Sequence, residues 1–272
     1  VLNECWKIVT KDTDLKRYAT CASIWIRLAL THYSEKHVST LLKDLVKHIR
    51  ISTDPNATTI IVTSLEEIVD CITMSSVESF GSVITSSYFM QLLDLFKSDR
   101  KTVLLKELLL NFTKTGITSD PVIIHTVFDI ARQLHDSLDY LSPDDERKQI
   151  GTLLCTFVGQ IDFGNDVEQQ LKVLVDCRAA FPTLDTVKDS LILAVVRLAI
   201  KTLQLMKNNL TKKTASFVKA CLAYCHITIP SIDDVFKRLQ LFQLCGQLSL
   251  VSGFLPQTDT FFKAAISVIP DI

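Results

Sequence analysis

The sequence predicts an all-α protein whose helices pair into antiparallel hairpins that stack as an α-solenoid. Apolar residues recur at the 3.6-residue spacing of a helix within stretches of about 15–20 residues. Polar breaks separate these stretches, and turns are few because the chain has seven glycines and seven prolines in 272 residues. About thirteen helices follow, with a hairpin period of about 40 residues, which is typical of HEAT-type repeats. We therefore predict a solenoid of HEAT-like antiparallel hairpins.

Several breaks contain residues that start or stop helices. Asp120 is an N-cap acid in front of Pro121, and proline is favoured at the first helical position. Ser142 and Pro143 repeat this order and are followed by acids that suit the positive end of the helix dipole. The run 231–234 (Ser-Ile-Asp-Asp) resembles a capping box with its serine as the N-cap. Proline disfavours helix in the residue before it, which predicts stops near Pro182, Pro230 and Pro270.

The last hairpin is tetratricopeptide-like. Its aromatic, glycine, aromatic, alanine and proline residues fall at the offsets of that repeat, at Phe242, Gly246, Phe262, Ala265 and Pro270. We expect Gly246 to let the second helix approach closely and Ala265 to face it. Ser249 and Thr258 depart from the repeat, which usually has an aromatic residue and an alanine there. The match supports stacked hairpins more than it supports that repeat family.

A core between two adjoining helices is predicted from residues that repeat at i, i+3 or i+4, and i+7. Its members are Leu191, Val195 and Leu198 on one helix and Phe217, Cys221 and Tyr224 on the next. If Phe217 is fully buried, its replacement by alanine should cost about 3–5 kcal/mol.

Composition limits the classes of partner. The chain is 47% hydrophobic and 22% charged, which is typical of a globular protein, and its net charge of −1 predicts no nucleic-acid partner. The most apolar run, residues 191–200, contains Arg197 and is shorter than the roughly 20 residues of a membrane span, so we expect no direct membrane insertion. The regular spacing of the breaks predicts one continuous α-solenoid segment over residues 1–272. Because no initiator Met precedes Val1, we expect this segment to be part of a longer protein.

Eight cysteines are scattered among apolar neighbours. This distribution favours buried free thiols and a reducing, cytosolic compartment over a disulfide framework. The spacing Cys221-x-x-x-Cys225-His226 is the one metal-like cluster in the sequence. It places two cysteines on one helical face, but a structural zinc needs four ligands. We predict that Cys221 and Cys225 are reduced, buried and metal-free.

No motif of a known enzyme class occurs in the sequence. Neighbouring acids on a helix point about 100° apart and do not converge, which applies to the pairs at 66–67, 144–145 and 233–234. The six histidines show no HExxH spacing, and no GxGxxG, GxxxxGK[ST] or GxSxG occurs. We therefore predict no catalytic residue, no metal and no cofactor, and a binding surface in place of an active site.

Three segments carry a resemblance to a known family. They are residues 212–231 (KKTASFVKACLAYCHITIPS), residues 261–267 (FFKAAIS), and Phe181-Pro182 followed by a long apolar helix. They resemble the vacuolar protein sorting-associated protein 35-like family, the large α-solenoid subunits of the Retriever complex and paralogues of the retromer large subunit. The resemblance is convincing over about residues 180–272, whereas residues 1–180 agree in being helical hairpins.

The resemblance implies a scaffold in an endosomal cargo-recycling complex, cytoplasmic and peripheral on endosomes. In that family a small metallophosphoesterase-fold subunit sits against the C-terminal repeats. An arrestin-fold subunit docks nearer the N-terminus, through regions outside this chain. The complex associates with the larger Commander assembly and its coiled-coil components.

Surface chemistry suggests the partner-binding residues. The candidates are basic residues of the C-terminal hairpins: Lys212, Lys213, Lys219, Lys237, Arg238 and Lys263. Arg238 is the best single anchor, because its planar guanidinium can pair a carboxylate through two hydrogen bonds.

Two other classes remain open. Transport receptors and coat subunits are α-solenoid adaptors that use arrays of Asn or Trp, whereas this sequence has two tryptophans, Trp6 and Trp25. An all-α enzyme would bury titratable groups around one pocket, and a scaffold would show shallow grooves.

Overall fold

The computed structural model describes residues 2–12, 14–51, 57–139, 141–205 and 211–271. These residues contain fourteen α-helices and two 3₁₀ turns, and their extended pairing is limited to one isolated bridge between Thr118 and Ile161. The prediction of an all-α solenoid of about thirteen helices is confirmed. Contacts divide the chain into two compact units, unit 1 (residues 1–115 and 121–137) and unit 2 (residues 116–120 and 138–272).

The described residues of unit 1 form eight helices. They are α1 (Leu2–Val9), α2 (Leu15–His32), α3 (Glu35–Ile51), α4 (Ala57–Thr73), α5 (Val77–Ile84), α6 (Ser87–Leu93), α7 (Ser98–Lys114) and α8 (Pro121–Asp136). Helix α2 packs against its neighbour α3 and also against α4, which begins 42 positions after it. Contact between alternate helices is what stacks one hairpin on the next, and the spacing agrees with the predicted period of about 40 residues.

One stretch of unit 1 is divided more finely than the sequence predicts. The predicted stretches of about 15–20 residues would make residues 77–93 one helix, but the structure has α5 and α6 there, with Thr85 and Ser86 between them. The Thr85 hydroxyl donates a hydrogen bond to the Ser82 carbonyl oxygen at 2.7 Å. Short hydroxyl side chains that bond to nearby backbone compete with helix continuation, which accounts for the interruption.

Six helices lie in the part of unit 2 that the structure describes. They are α9 (Asp144–Gln160), α10 (Val167–Ala180), α11 (Asp185–Leu205), α12 (Lys212–Thr228), α13 (Val235–Val251) and α14 (Leu255–Val268), with 3₁₀ turns at Ile229–Ser231 and Ile269–Asp271. Helix α11 contacts α9, α10, α12 and α13, so it is buried on several sides. The apolar run 191–200 lies in this helix, which explains its composition. In the part of the chain that the structure describes, no helix has both the length and the apolarity to cross a bilayer.

The helix boundaries confirm some predictions and correct two. Helix α8 begins at Pro121, as predicted. The N-cap position of α9 is Pro143 and not Ser142, whose hydroxyl instead donates to the Asp139 carboxylate at 2.9 Å. The capping box at 231–234 is also wrong, because the N-cap of α13 is Asp234, whose carboxylate accepts from the Lys237 backbone N–H at 3.0 Å. The serine of that run belongs to the preceding 3₁₀ turn.

Helix ends near the prolines are confirmed. Helix α10 ends two residues before Pro182, and α12 and α14 each give way to a 3₁₀ turn that contains Pro230 or Pro270. Since proline lacks the N–H that an α-helix needs in its interior, the tighter turn is a common way to finish.

The close approach predicted in the last hairpin is present. A Cβ atom built on Gly246 would lie 3.1 Å from the Cε1 and Cζ atoms of the Phe262 ring, so the missing side chain admits α14. Ala265 is buried as predicted. The two residues that depart from the tetratricopeptide pattern compensate each other, because the buried hydroxyls of Ser249 and Thr258 lie 2.9 Å apart and form a hydrogen bond.

Candidate partner-binding surface

The six basic candidates do not form one cluster. Lys212 and Lys213 lie at the N-terminal end of α12, whereas Lys237 and Arg238 lie in the first turn of α13. Because α12 and α13 follow each other as a hairpin, the first turn of α13 is near the C-terminal end of α12. A 17-residue helix is about 25 Å long, so the two pairs lie at opposite ends of the α12–α13 hairpin.

Four of the candidates are engaged within unit 2. The ammonium groups of three lysines pair with carboxylates: Lys213 with Glu168 at 2.8 Å, Lys237 with Asp189 at 3.1 Å and Lys263 with Asp259 at 2.7 Å. The Lys219 ammonium lies over the Phe254 ring, 5.1 Å from its centroid. The hydrogen bond with Glu168 raises the pKa of Lys213. Charges that already have partners offer less to a second protein.

Arg238 differs from the lysines. The residue is half-buried, and within the described chain its Nε atom is buried without a hydrogen-bond partner. Asp189, whose other carboxylate oxygen pairs with Lys237, likewise has its Oδ1 atom buried without a hydrogen bond to a described residue. Buried polar atoms are normally paired, so the unpaired Nε is exceptional. Because that atom is enclosed, an acceptor on another molecule would have to approach the other guanidinium nitrogens of Arg238.

The predicted core between α11 and α12 is confirmed except at one residue. Leu191, Val195, Cys221 and Tyr224 are buried, as is Leu198. Phe217, however, is half-buried, and Val218 takes the fully buried position beside it. Phe217 lines a groove of about 430 Å³ together with Lys213, Glu168 and residues near the start of α10. The buried face of α12 includes Val218, Cys221 and Cys225, and Phe217 lies at its edge, where it lines the groove.

The cysteines of unit 2 are packed as apolar residues. Cys177, Cys221, Cys225 and Cys245 are buried, and burial raises the pKa of Cys177 and of Cys221 to about 12. A hydrogen bond with Cys245 raises the pKa of Cys225 as well. Among the described residues no three His, Cys, Asp or Glu side chains are grouped so as to hold a metal ion. The burial predicted for Cys221 and Cys225 is confirmed, and their metal-free state stays a prediction.

The tryptophans are part of unit 1 and not of an exposed array. Trp6 is buried and its indole N–H donates to the Asp44 carboxylate at 3.0 Å. The rings of Trp6 and Trp25 meet edge to face with centroids 6.3 Å apart. Their packing indicates a structural role, which argues against the cargo-binding arrays of transport receptors.

Sequence reasoning missed two basic residues that line a pocket, Arg178 and Lys188. Arg178 lies in the last turn of α10, where a positive charge is expected to interact with the helix dipole. A position at a helix end does not distinguish Arg178 from other surface arginines. The break at Phe181-Pro182 was a usable signal, because it brings the end of α10 back toward the start of α11.

Known proteins match this chain over its whole length. The model of the VPS35L C-terminal domain family covers residues 1–272. The chain is 40% identical over 273 residues to the VPS35 endosomal protein sorting factor-like protein of Dictyostelium discoideum. It is 37% identical over 275 residues to the corresponding protein of Danio rerio and 36% identical over 275 residues to that of Homo sapiens. Each match covers 100% of this chain and 27% or 28% of the relative, so the chain spans just over a quarter of the length of these curated relatives.

Proposed function

Because the chain belongs to the VPS35L C-terminal domain family, we propose that it is a non-enzymatic scaffold segment of an endosomal cargo-recycling complex of the Retriever type. The match over all 272 residues is the observation that carries the proposal. It also confirms the resemblance for residues 1–180, where hairpins alone supported it. The same match displaces transport receptors and coat subunits as the alternative.

The chemistry of the described residues supports a scaffold over an enzyme. The buried titratable groups with raised pKa values are thiols and phenols, among them Cys177, Cys221, Tyr18 and Tyr224. Burial holds each in its neutral form, which removes nucleophilic character. A catalytic site needs the opposite, namely groups whose pKa values are moved toward neutrality around a common pocket.

The partner we propose for unit 2 is the small metallophosphoesterase-fold subunit. In this family the small subunit sits against the C-terminal repeats, and unit 2 offers the half-buried Arg238 guanidinium as an anchor. The arrestin-fold subunit would bind regions outside this chain, and Commander coiled-coil components would join the assembled complex. Such a complex would be cytoplasmic and peripheral on endosomes, held there by its partners.

The test is the affinity of the purified small subunit for the chain, measured by calorimetry after a pull-down with the chain as bait. Reversing the charge of Lys237 would place a negative group against Asp189, so neutralisation of Arg238 is the cleaner change. Arg238→Gln should weaken binding tenfold or more, about 1.4 kcal/mol. Lys172→Gln is the matched control, because Lys172 is an exposed residue of α10 that is not among the partner-binding candidates.

The two failures have different meanings. If wild-type chain does not bind the small subunit, that subunit is not a partner of this segment. If wild type binds and Arg238→Gln changes the affinity less than tenfold, Arg238 is outside the interface, and the hairpin turns become the next surface to examine.

A further inference from the structure

A pocket lies in unit 2 between α10, the start of α11 and the 3₁₀ turn Ile229–Ser231. Its volume is about 340 Å³, and it is lined by Val175, Arg178, Ala179, Pro182, Lys188 and Ser231. Two of these residues are cations, three are apolar, and none is acidic. A concave site with apolar walls and a few placed polar groups is the usual form of a binding pocket.

Lys188 is held in place at one side of the pocket. Its ammonium group donates to Asp185 Oδ1 at 2.8 Å and to the Ser231 carbonyl oxygen at 2.6 Å, and its side chain is 12% exposed. Asp185 is itself fixed, because its Oδ2 atom accepts the backbone N–H of Asp233 at 2.7 Å. An ammonium group has three donors, so one N–H remains for a ligand.

Arg178 supplies the second cation. Its guanidinium carbon lies 5.7 Å from the centroid of the Tyr224 ring, and Tyr224 is anchored by a hydrogen bond from its hydroxyl to the Leu174 carbonyl oxygen at 3.4 Å. Within the described chain Arg178 makes no hydrogen bond and no ion pair. The cation–π contact fixes the position of the charge while the N–H donors stay available for a planar anion.

We propose that this pocket binds a glutamate side chain presented by a protein partner. Arg178 would hold the carboxylate through its paired N–H donors and supply the unbalanced charge. Lys188, whose charge is already balanced by Asp185, would add one hydrogen bond from its remaining donor. Val175, Ala179 and Pro182 would pack against the aliphatic stem. Arg178 has no carboxylate partner among the described residues, which makes the pocket complementary to one anionic group, and arginine is a residue type enriched in binding hot spots.

This inference rests on the proposed function, since it assumes that unit 2 meets a protein partner, and it names a recognition chemistry separate from Arg238. Arg178 and Arg238 lie on different helices, α10 and α13, so each can be altered alone.

The experiment uses peptides, so that it does not depend on knowing the partner. A displayed library of random 12-residue peptides is selected on the wild-type chain, with counter-selection on Arg178→Gln. We expect selected peptides to contain glutamate next to an aliphatic residue. Replacing that glutamate by glutamine, or Arg178 by Gln, should weaken binding tenfold or more, and Arg178→Lys should fall between.

The control is Lys172→Gln, an exposed lysine of the same helix that does not line the pocket, and it should leave affinity within about twofold. Thermal unfolding midpoints show whether each variant is folded. Selection of no peptide that separates wild type from Arg178→Gln, or enrichment of peptides without an acid, overturns the proposal. Binding to anionic phosphatidylserine vesicles that is lost in Arg178→Gln also overturns it, because the anion would then be a lipid.

Measuring the small subunit on the same variants separates the two proposals. If the small subunit does not bind wild-type chain but glutamate peptides bind through Arg178, the proposed partner fails and the pocket stands. If the small subunit binds and no peptide depends on Arg178, the pocket fails and the proposed function stands.

Discussion

At the scale of single residues, burial fixes the protonation state of the thiols in unit 2. Burial raises the pKa of Cys177 and Cys221 from 9.0 to about 12, so the native thiols stay neutral at physiological pH. In the unfolded chain the same thiols ionise at ordinary values. We therefore expect iodoacetamide at pH 8 to modify the exposed Cys5 of the native chain and to spare Cys177 and Cys221, and to modify all eight cysteines in denaturant. Mass spectrometry of the alkylated peptides shows which cysteines are modified under each condition.

The same shift has a consequence for stability. A thiol whose folded pKa lies above its unfolded pKa contributes its full stability below the unfolded value and loses it as pH rises through the folded value. The free energy of unfolding should therefore decline between about pH 9 and pH 12, which urea titrations at several pH values measure. The decline should be shallower in Cys221→Ala, and an equally steep decline in that variant would show that other groups cause it.

Phe217 provides a second residue-level test. Because it is half-buried, Phe217→Ala should destabilise the chain by about 1–2 kcal/mol, less than the 3–5 kcal/mol of a fully buried phenylalanine. Val218→Ala removes fewer atoms but from a fully buried side chain, so it should cost at least as much. Urea denaturation measures the free energy of unfolding of both variants. A loss of about 3 kcal/mol or more for Phe217→Ala would mean that the ring is in the core.

At the scale of the element, the α13–α14 hairpin depends on close packing at Gly246. Gly246→Val adds a branched side chain where the Phe262 ring is already 3.1 Å from a Cβ position, so we expect the ring to be displaced or the two helices to separate. Overpacking of this kind should cost about 1–3 kcal/mol.

The matched control is Gly159→Val in α9, where a Cβ would meet no atom within 4 Å. Valine has a higher helix propensity than glycine, so this variant should be neutral or stabilised by a few tenths of a kcal/mol. Thermal or urea unfolding gives the change in stability of both variants. Equal effects of the two substitutions would show that the Phe262 ring moves aside and that Gly246 is not required for packing.

At the scale of the whole molecule, the repeat pattern of the sequence predicts one continuous array, and solution scattering tests it. A compact globule of this length has a radius of gyration of about 18 Å. A continuous solenoid of stacked hairpins is extended, so we expect a radius clearly above that value. A measured radius near 18 Å would contradict a single elongated segment, while circular dichroism would still report a helical protein.

The sequence by itself determined the helices, the hairpin period and the tight contact at Gly246. These features depend on residues near one another in the chain: the 3.6-residue spacing of apolar side chains, the prolines at helix ends and the small residues of the last hairpin. It failed where two local signals compete, as in the choice between Ser231 and Asp234 as the cap of α13. It also failed at Phe217, because periodicity gives the apolar face of a helix only to within about one residue.

The tertiary structure alone decided which charges are available. Lys237 meets Asp189 across 48 positions and Lys213 meets Glu168 across 45, so two of the predicted anchors are already paired. Arg178 rests on Tyr224, 46 positions away, and Lys188 reaches the carbonyl oxygen of Ser231. Each of these contacts joins different helices, and their partners are set by how the hairpins stack. A single sequence contains the charges, but only the packing of the helices determines which of them remain free for another protein.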